Sequence, residues 1–130
     1  MRLLPHYEKA VIPIEKLRDY ALDPGHPEGK HKARVFKAAL GIEQAHAEVF
    51  AQILKRTLYR SPAAPGIKNQ YGSRWTTFHE TIGLDGKSEV VTAVWIYRPE
   101  QVDVPVLISC YIEPDGSRRL EEAQKAGLDL

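Results

Sequence analysis

The densest cluster of residues able to do chemistry in this chain runs from His26 to Phe36. It reads His-Pro-Glu-Gly-Lys-His-Lys-Ala-Arg-Val-Phe, a proline and glycine turn that leads into a short basic helix. Backbone N–H groups at a helix N-terminus are unpaired and the helix dipole is positive there, so phosphate or another anion is favoured. The side chains that strengthen this expectation are Lys30, Lys32 and Arg34, and His26 and His31 lie in the same stretch.

Metal-independent RNA cleavage is the reaction that these residue types fit. It needs a base for the 2′-hydroxyl, an acid for the leaving 5′-oxygen and cations for the crowded phosphate. The candidate catalytic residues are His26, His31, Lys32, Ser109 and Tyr111. The candidate RNA-contacting residues are Lys30, Arg34, Tyr71, Arg74 and Trp95. Tyr71 or Trp95 could stack on a base, although aromatic residues in strands more often belong to the core.

Lys32 is the most informative of these candidates. A positive charge near a helix N-terminus is unfavourable to the dipole, so we expect an anion or a carboxylate opposite its ammonium group. His26 has an alternative interpretation, because a histidine beside Pro27 equally fits an exposed turn.

Other site chemistries have little support in the sequence. The five histidines and Cys110 show no metal-ligand spacing, neither His-Glu-x-x-His nor Cys-x-x-Cys, so no metal is predicted. Gly25 and Gly29 match neither the dinucleotide-binding nor the P-loop spacing, and no cofactor is predicted. Cys110 alternates with apolar residues, which predicts a packed, inert thiol, and His46 lies on an apolar stripe, which predicts a hydrogen-bonded core residue.

Length and composition indicate one soluble domain. The 130 residues are 27% charged and 43% hydrophobic, and no apolar run approaches the roughly 20 residues that span a bilayer. The unpaired Cys110 and the early charges at the N-terminus argue against disulfides and a secretory signal. We therefore expect a cytoplasmic protein, although a domain cut from a larger exported protein would look the same.

The small net charge of +1 conceals an uneven distribution. Residues 29–79 hold nine Lys or Arg and two Glu, a net charge of +7, and the rest of the chain carries −6. A basic face for RNA or another polyanion is one interpretation. The alternative is that these cations are spread around helices and a loop, where they only maintain solvation.

Hydrophobic periodicity predicts three N-terminal helices. They cover residues 13–22, 29 or 30 to 40, and 43–59. The second has Ala33, Phe36, Ala39 and Leu40 on its buried stripe and Gly41 as its stop. The third has an apolar stripe that includes His46, Val49, Phe50, Ile53 and Leu54.

After a predicted loop over residues 60–66, the pattern changes to alternation. It predicts strands over residues 70–79, 88–98 and 104–112, with a hairpin turn at Asp85-Gly86. In the last strand, Val106, Ile108, Cys110 and Ile112 should share one face, and Leu107, Ser109 and Tyr111 the other. The expected architecture is an α+β domain over residues 1–112, about three helices packed on an antiparallel sheet of three to four strands. Residues 113–130 should form a tail that is frayed or weakly helical with Ser117 as its N-cap.

A set of short motifs resembles a bacterial family of domains of unknown function, numbered six-eight-eight-three. The motifs are Ala10-Val11-Ile12 with Lys16-Leu17 and Tyr20, then Leu22-x-Pro24-x-His26-Pro27-x-Gly29-x-x-Lys32-Ala33-x-x-Phe36, Tyr71-Gly72, Val94-Trp95 and Pro105-x-Leu107-x-Ser109-x-Tyr111. The resemblance covers about residues 8–112. Domains of this kind occur alone and at the C-termini of polymorphic toxins.

The resemblance implies a toxin domain with a cognate immunity or antitoxin protein, delivered to a target cytoplasm. Helices followed by an antiparallel sheet are similar to the barnase, EndoU, colicin and RelE group of metal-independent ribonucleases, which is a fold-level analogy. The motif positions carried onto this chain are His26, Gly29, Lys32, Tyr71, Trp95, Ser109 and Tyr111, whereas the position of His31 is variable in the family pattern. The alternative function is a non-enzymatic binding module with a basic face, one half of a two-gene pair.

Overall fold

Residues 1–127, the part of the chain that the computed structural model describes, form three α-helices and a four-stranded antiparallel sheet. The helices are α1 (Lys30–Leu40), α2 (Ala47–Thr57) and α3 (Gly116–Ala126). The strands are β1 (Ala63–Asn69), β2 (Gly72–Ile82), β3 (Ser88–Tyr97) and β4 (Val106–Tyr111). The predicted α+β class, with helices before an antiparallel sheet, is confirmed.

The sheet is a meander in which neighbours in sequence are neighbours in space, in the order β1-β2-β3-β4. Strands β2 and β3 form its centre, paired from Ser73 with Tyr97 to Ile82 with Ser88. The predicted hairpin turn between them is confirmed, and Gly86 adopts the positive φ of 84° that such turns require.

One face of the sheet, here called the inner face, packs against α1 and α2. Its β3 residues Val91, Ala93, Trp95 and Tyr97 belong to the main hydrophobic core. Phe36 of α1 and Phe50 of α2 meet above them, edge to face, with ring centroids 5.1 Å apart. The apolar stripe predicted for the second helix therefore lies where expected, and Gly41 ends that helix with a φ of 65°.

The opposite, outer face is covered at one end by α3. Leu120 and Ala123 of this helix pack on Phe78 and Val90 of the sheet. The segment expected to be frayed or weakly helical is therefore a packed helix over residues 116–126. Its N-cap is Asp115 instead of Ser117, and residues 128–130 of the predicted tail lie outside the described residues.

The first and third predicted helices differ in detail from the structure. The first is a single π-helical turn over Leu17–Ala21. The third is preceded by a 3-10 turn over Gln44–His46, and α2 buries Ala47, Phe50 and Leu54. This phase turns Val49 outward, with 49% of its surface exposed, so its predicted burial is wrong.

Strand β1 overlaps the second half of the loop predicted over residues 60–66. Proline is tolerated in a strand where no ladder hydrogen bond needs its nitrogen, as at a sheet edge. Strand β1 is such an edge strand, and its pairing with β2 is irregular between Pro65 and Lys68. The proline that predicted a loop therefore lies inside a strand.

A bulge in β4 changes the predicted faces of that strand. Trp95 pairs with Leu107, but Val94 pairs with Ser109, which leaves Ile108 as an extra residue. An extra residue shifts the alternation by one position. Leu107 consequently joins Cys110 on the inner face, and the prediction that Val106, Ile108 and Cys110 share a face is wrong.

Candidate functional site

The turn that leads into α1, residues 27–29, is capped by an imidazole ring. His26 Nδ1 accepts hydrogen bonds from the backbone N–H groups of Glu28 (3.0 Å) and Gly29 (2.9 Å). The N–H of Lys30 donates to the His26 carbonyl at 3.0 Å. The N–H groups of this turn and that of Lys30 are therefore bonded within the protein. Because the Nδ1 lone pair accepts these bonds, the ring proton is on Nε2, and His26 has no free nitrogen to act as a base.

Replacing His26 with alanine should lower the free energy of unfolding by about 1 kcal/mol, the usual cost of losing a side-chain acceptor of backbone N–H groups. His26→Asn should recover part of this loss, because a side-chain oxygen can accept the same N–H groups. Chemical denaturation measures both effects. His31→Ala is the matched control, since His31 is exposed, and an equal loss in this control would contradict the capping role.

The ammonium group of Lys32 lies against Tyr20. Lys32 Nζ donates to Tyr20 Oη at 2.6 Å and lies 4.6 Å from the centre of the tyrosine ring. His26 packs edge-on against the same ring, with centroids 5.0 Å apart. A Cβ atom on Gly29 would overlap the Tyr20 carbonyl oxygen. Tyr20, His26, Gly29 and Lys32, four positions of the motif that resembles the family pattern, thus form one contact cluster. Beside Lys32, where an anion was expected, lie the hydroxyl group and the π face of Tyr20.

Lys30 and Arg34, the other two cations between residues 26 and 36, line a groove of about 880 Å³ between α1 and the turn that precedes α2. We call it the α1 groove. Its charged and imidazole residues are Lys30, His31, Arg34, Lys37, Glu43 and His46. Lys30, Arg34 and Lys37 follow the i, i+4, i+7 spacing of one helix face, and His31 lies one turn before Arg34. Glu43 forms an ion pair with Lys37 at 3.4 Å, which leaves a positive surplus in the groove.

His46 is not a core residue, contrary to the sequence prediction. It is half-buried, and its Nδ1 accepts the backbone N–H of Glu43 at 3.0 Å, closing the turn before α2. Its ring proton is therefore on Nε2, where it can be donated to a ligand. The apolar spacing predicted burial of His46 on the assumption that the helix begins at residue 43, whereas the α-helix begins at Ala47.

The strand candidates lie elsewhere. Ser109 and Tyr111 alternate with the buried Cys110 and so face the outer side of the sheet. Arg119 interacts with Tyr111. Burial disfavours the charged form of its guanidinium group, yet the pKa of Arg119 is raised because Glu113, at 2.7 Å, and Tyr111 both interact with this group.

Two of the predicted RNA-contacting residues are exposed outside the α1 groove. Arg74 lies on β2, paired with Ile96. Tyr71 follows β1 and is 70% exposed. The structure therefore brings Lys30, His31 and Arg34 together, and it separates them from Lys32, from the serine and tyrosine of β4 and from these two residues.

Trp95 cannot stack on a nucleic-acid base as predicted. Its side chain is fully buried on the inner face, and its indole Nε1 donates to Thr77 Oγ1 at 2.8 Å. The alternative, a core residue, is the correct one. A tryptophan at the centre of a half-covered sheet buries more apolar surface than any other side chain could at that position.

A buried polar network surrounds His79 and was not predicted from the sequence. His79 Nδ1 lies 2.7 Å from Thr57 Oγ1 and 3.1 Å from Ser61 Oγ, and Nε2 lies 2.7 Å from Thr77 Oγ1. Burial, with a smaller effect from the positive charge of Arg60, lowers the pKa of His79 to about 3. The imidazole is therefore neutral at physiological pH. The signal in the sequence is the alternation Thr77, His79, Thr81, three polar residues on one strand face.

The hydrogen atoms of this network can be assigned. Ser61 Oγ donates to the Thr57 carbonyl at 2.7 Å, and Thr57 Oγ1 donates to the Ile53 carbonyl at 2.8 Å. Both hydroxyl hydrogens are thereby used, so His79 Nδ1–H donates to Thr57 and Nε2 accepts from Thr77. Every polar atom of the ring is satisfied, which identifies His79 as a structural residue.

Nucleophilic and metal chemistry gain no support from the described residues. Cys110 is buried, and burial raises the pKa of its thiol to about 12, which keeps it protonated. Within residues 1–127, no three His, Cys, Asp or Glu side chains are grouped as a metal ion would require. No helix in that part of the chain has the length and apolar character needed to cross a membrane.

The fold is an α+β domain whose helix motif, Tyr20, His26, Gly29 and Lys32, forms one contact cluster. The chain belongs to the family described as "Domain of unknown function (DUF6883)", whose model matches residues 3–114. A solved structure with a similar fold is a contact-dependent growth inhibition toxin–immunity protein complex from Klebsiella pneumoniae 342. The likeness has a TM-score of 0.54 at 17% identity and covers 83% of this chain and 97% of that one. No curated protein matches the chain.

Proposed function

We propose that this domain is a bacterial toxin domain that cleaves RNA without a metal ion, and that the α1 groove is its active site. The observation that carries the proposal is the groove itself, where Lys30, Arg34 and Lys37 surround an exposed histidine, His31. The fold shared with a chain of a contact-dependent growth inhibition toxin–immunity complex supports the toxin role. The groove supplies the cations and the imidazole that RNA cleavage needs.

In the proposed reaction, His31 accepts the proton of a ribose 2′-hydroxyl. The 2′-oxygen forms a bond to phosphorus, the bond from phosphorus to the 5′-oxygen breaks, and His31 returns the proton to the leaving 5′-oxygen. The products are a 2′,3′-cyclic phosphate and a 5′-hydroxyl. Lys30 and Arg34 stabilise the additional negative charge on the phosphate, and His46 donates its Nε2–H to a phosphate oxygen.

The proposed biological setting is delivery of the domain into the cytoplasm of a target cell. In the producing cell, a cognate immunity protein would cover the α1 groove with an acidic surface. Such a complex would block substrate access by charge and shape together.

The test is incubation of the purified protein with tRNA and with total RNA in excess chelator. We expect cleavage products with cyclic phosphate ends, and His31→Ala should reduce the cleavage rate by about 10²- to 10⁴-fold, the usual contribution of an acid–base residue. His6→Asn is the control, because His6 is exposed, lies outside the groove and has a φ of 58° that asparagine tolerates. An unchanged rate in His31→Ala would refute the assigned active site.

The binding of RNA should depend on salt, and Arg34→Ala should reduce the slope of log affinity against log salt by about one. Lys55→Ala, on an exposed face of α2 outside the groove, should leave that slope unchanged. Filter binding at several salt concentrations measures both. Salt-dependent binding with no cleavage would replace the enzyme with the non-enzymatic binding module.

The residues of β4 provide a second discriminating measurement. Ser109→Ala and Tyr111→Phe should cleave RNA at the wild-type rate, because both side chains face the outer side of the sheet. If either variant loses cleavage while His31→Ala keeps it, the active site is on the sheet and the α1 groove is not catalytic.

A further inference from the structure

Strand β2 extends beyond its neighbour at one edge of the sheet. The pairing with β1 begins at Ala63, opposite Thr77, whereas β2 continues to Ile82. A last hydrogen bond on this side joins the Phe78 N–H to the Pro62 carbonyl at 3.0 Å. Beyond it, no strand among residues 1–127 pairs with this side of β2, whereas at the opposite edge of the sheet Val11 pairs with Val106.

The exposed edge presents backbone hydrogen-bonding groups. Backbone groups of successive residues in an antiparallel strand point alternately to its two neighbours. Since the Phe78 N–H points toward β1, the N–H and C=O groups of Glu80 and Ile82 point to the same open side. Both side chains are exposed, Ile82 by 74%. An edge of this kind is a template for one more strand.

A groove of about 570 Å³ lies beside this edge. Ile53 of α2 and the exposed Ile82 of β2 provide its apolar surface, and the buried side chains of Phe78 and Leu120 form its floor. Arg56 and Arg60, one helical turn apart, lie along one wall, are exposed, and form no ion pair with any described residue. Glu80 is the one acidic side chain that lines the groove among residues 1–127.

We propose that this edge of β2, Phe78–Ile82, binds an extended acidic segment of a partner protein as a fifth strand of the sheet. The segment would pair its backbone with Glu80 and Ile82, place acidic side chains beside Arg56 and Arg60, and place an apolar side chain against Ile53 and Ile82. A second copy of this chain fits less well, because two-fold pairing about Glu80 would bring like charges together. The proposal is independent of RNA cleavage.

The test uses short capped peptides that alternate glutamate with valine, or lysine with valine. We expect only the acidic peptide to bind, and to slow amide hydrogen exchange at Glu80 and Ile82. The double variant Arg56→Glu and Arg60→Glu should weaken its binding by about tenfold or more and should favour the lysine peptide. Lys55→Glu is the matched control, since Lys55 is exposed on α2 outside the groove, and it should change the affinity by less than about twofold.

A second variant tests the backbone pairing. Glu80→Pro removes an outward N–H and leaves the hydrogen bonds to β3 intact, so it should abolish peptide binding without unfolding the sheet. Equal binding of both peptides, slowed exchange elsewhere, or no binding at all would overturn the proposal. If the Glu80 amide is protected without peptide, in proportion to protein concentration, the occupant is a second copy and the acidic partner is refuted.

Discussion

Truncating Trp95 to alanine should lower the free energy of unfolding by about 3 to 5 kcal/mol, the usual cost of removing a large buried aromatic side chain. The indole is fully buried, and its loss would leave a cavity between the sheet and the two covering helices. It would also remove the donor to Thr77 Oγ1, which disturbs the hydrogen bonds of His79. Urea denaturation followed by circular dichroism measures the change.

Tyr71→Ala is the comparison for this experiment, because Tyr71 is an exposed aromatic residue in the turn between β1 and β2. Its free energy of unfolding should stay within about 0.5 kcal/mol of wild type. A loss of less than about 1 kcal/mol for Trp95→Ala, or a loss of RNA binding at unchanged stability, would instead favour the surface role first predicted for Trp95.

Acidification should destabilise the protein through His79. The folded protein keeps this imidazole neutral down to a pKa of about 3, whereas the unfolded chain takes up a proton near the ordinary value of 6.5. Between pH 6.5 and 3 the unfolded state therefore binds more protons, so this contribution is complete above pH 6.5 and is lost as the pH falls. The slope approaches about 1.4 kcal/mol per pH unit.

The measurement is the free energy of unfolding at several pH values for the wild type and for His79→Gln. The variant lowers stability at neutral pH, but its stability should fall less steeply between pH 6.5 and 4. The acidic residues titrate equally in both proteins, so the difference between the two curves isolates His79. His31→Gln should retain the wild-type slope, and the same slope in His79→Gln would show that this imidazole is not the buried titrating group.

Much of the fold follows from local signals in the sequence. The spacing of Phe36 and Leu40, the glycine after α1, the Asp-Gly turn and the alternation in β3 each correspond to the element predicted from them. Strand β1 and the packing of α3 do not follow from local signals. They depend on a tertiary partner, because Pro65 is tolerated only at a sheet edge and α3 is held by Phe78 and Val90.

The candidate site was less predictable than the fold. His31 and Arg34 are three residues apart and lie on one exposed face of α1, as helical spacing requires. Helical spacing contains no information on which hydrogen-bond partner a side chain finds. Although His26 and Lys32 are close to these residues in sequence, His26 accepts the backbone N–H of Gly29 and Lys32 donates to Tyr20. The same limit applies to His79, whose three hydroxyl partners come from two separate segments.

The bulge at Ile108 gives β4 an unusual tolerance of changes in chain length. Leu107 pairs with Trp95 and Ser109 with Val94, two positions that are consecutive in β3. Deleting Ile108 would restore regular pairing and leave every other β4 side chain on its present face. A deletion inside β3 would instead move the side chains that follow it to the opposite face of the sheet. A chain that lacks Ile108 can therefore keep the contacts that β4 makes with the core.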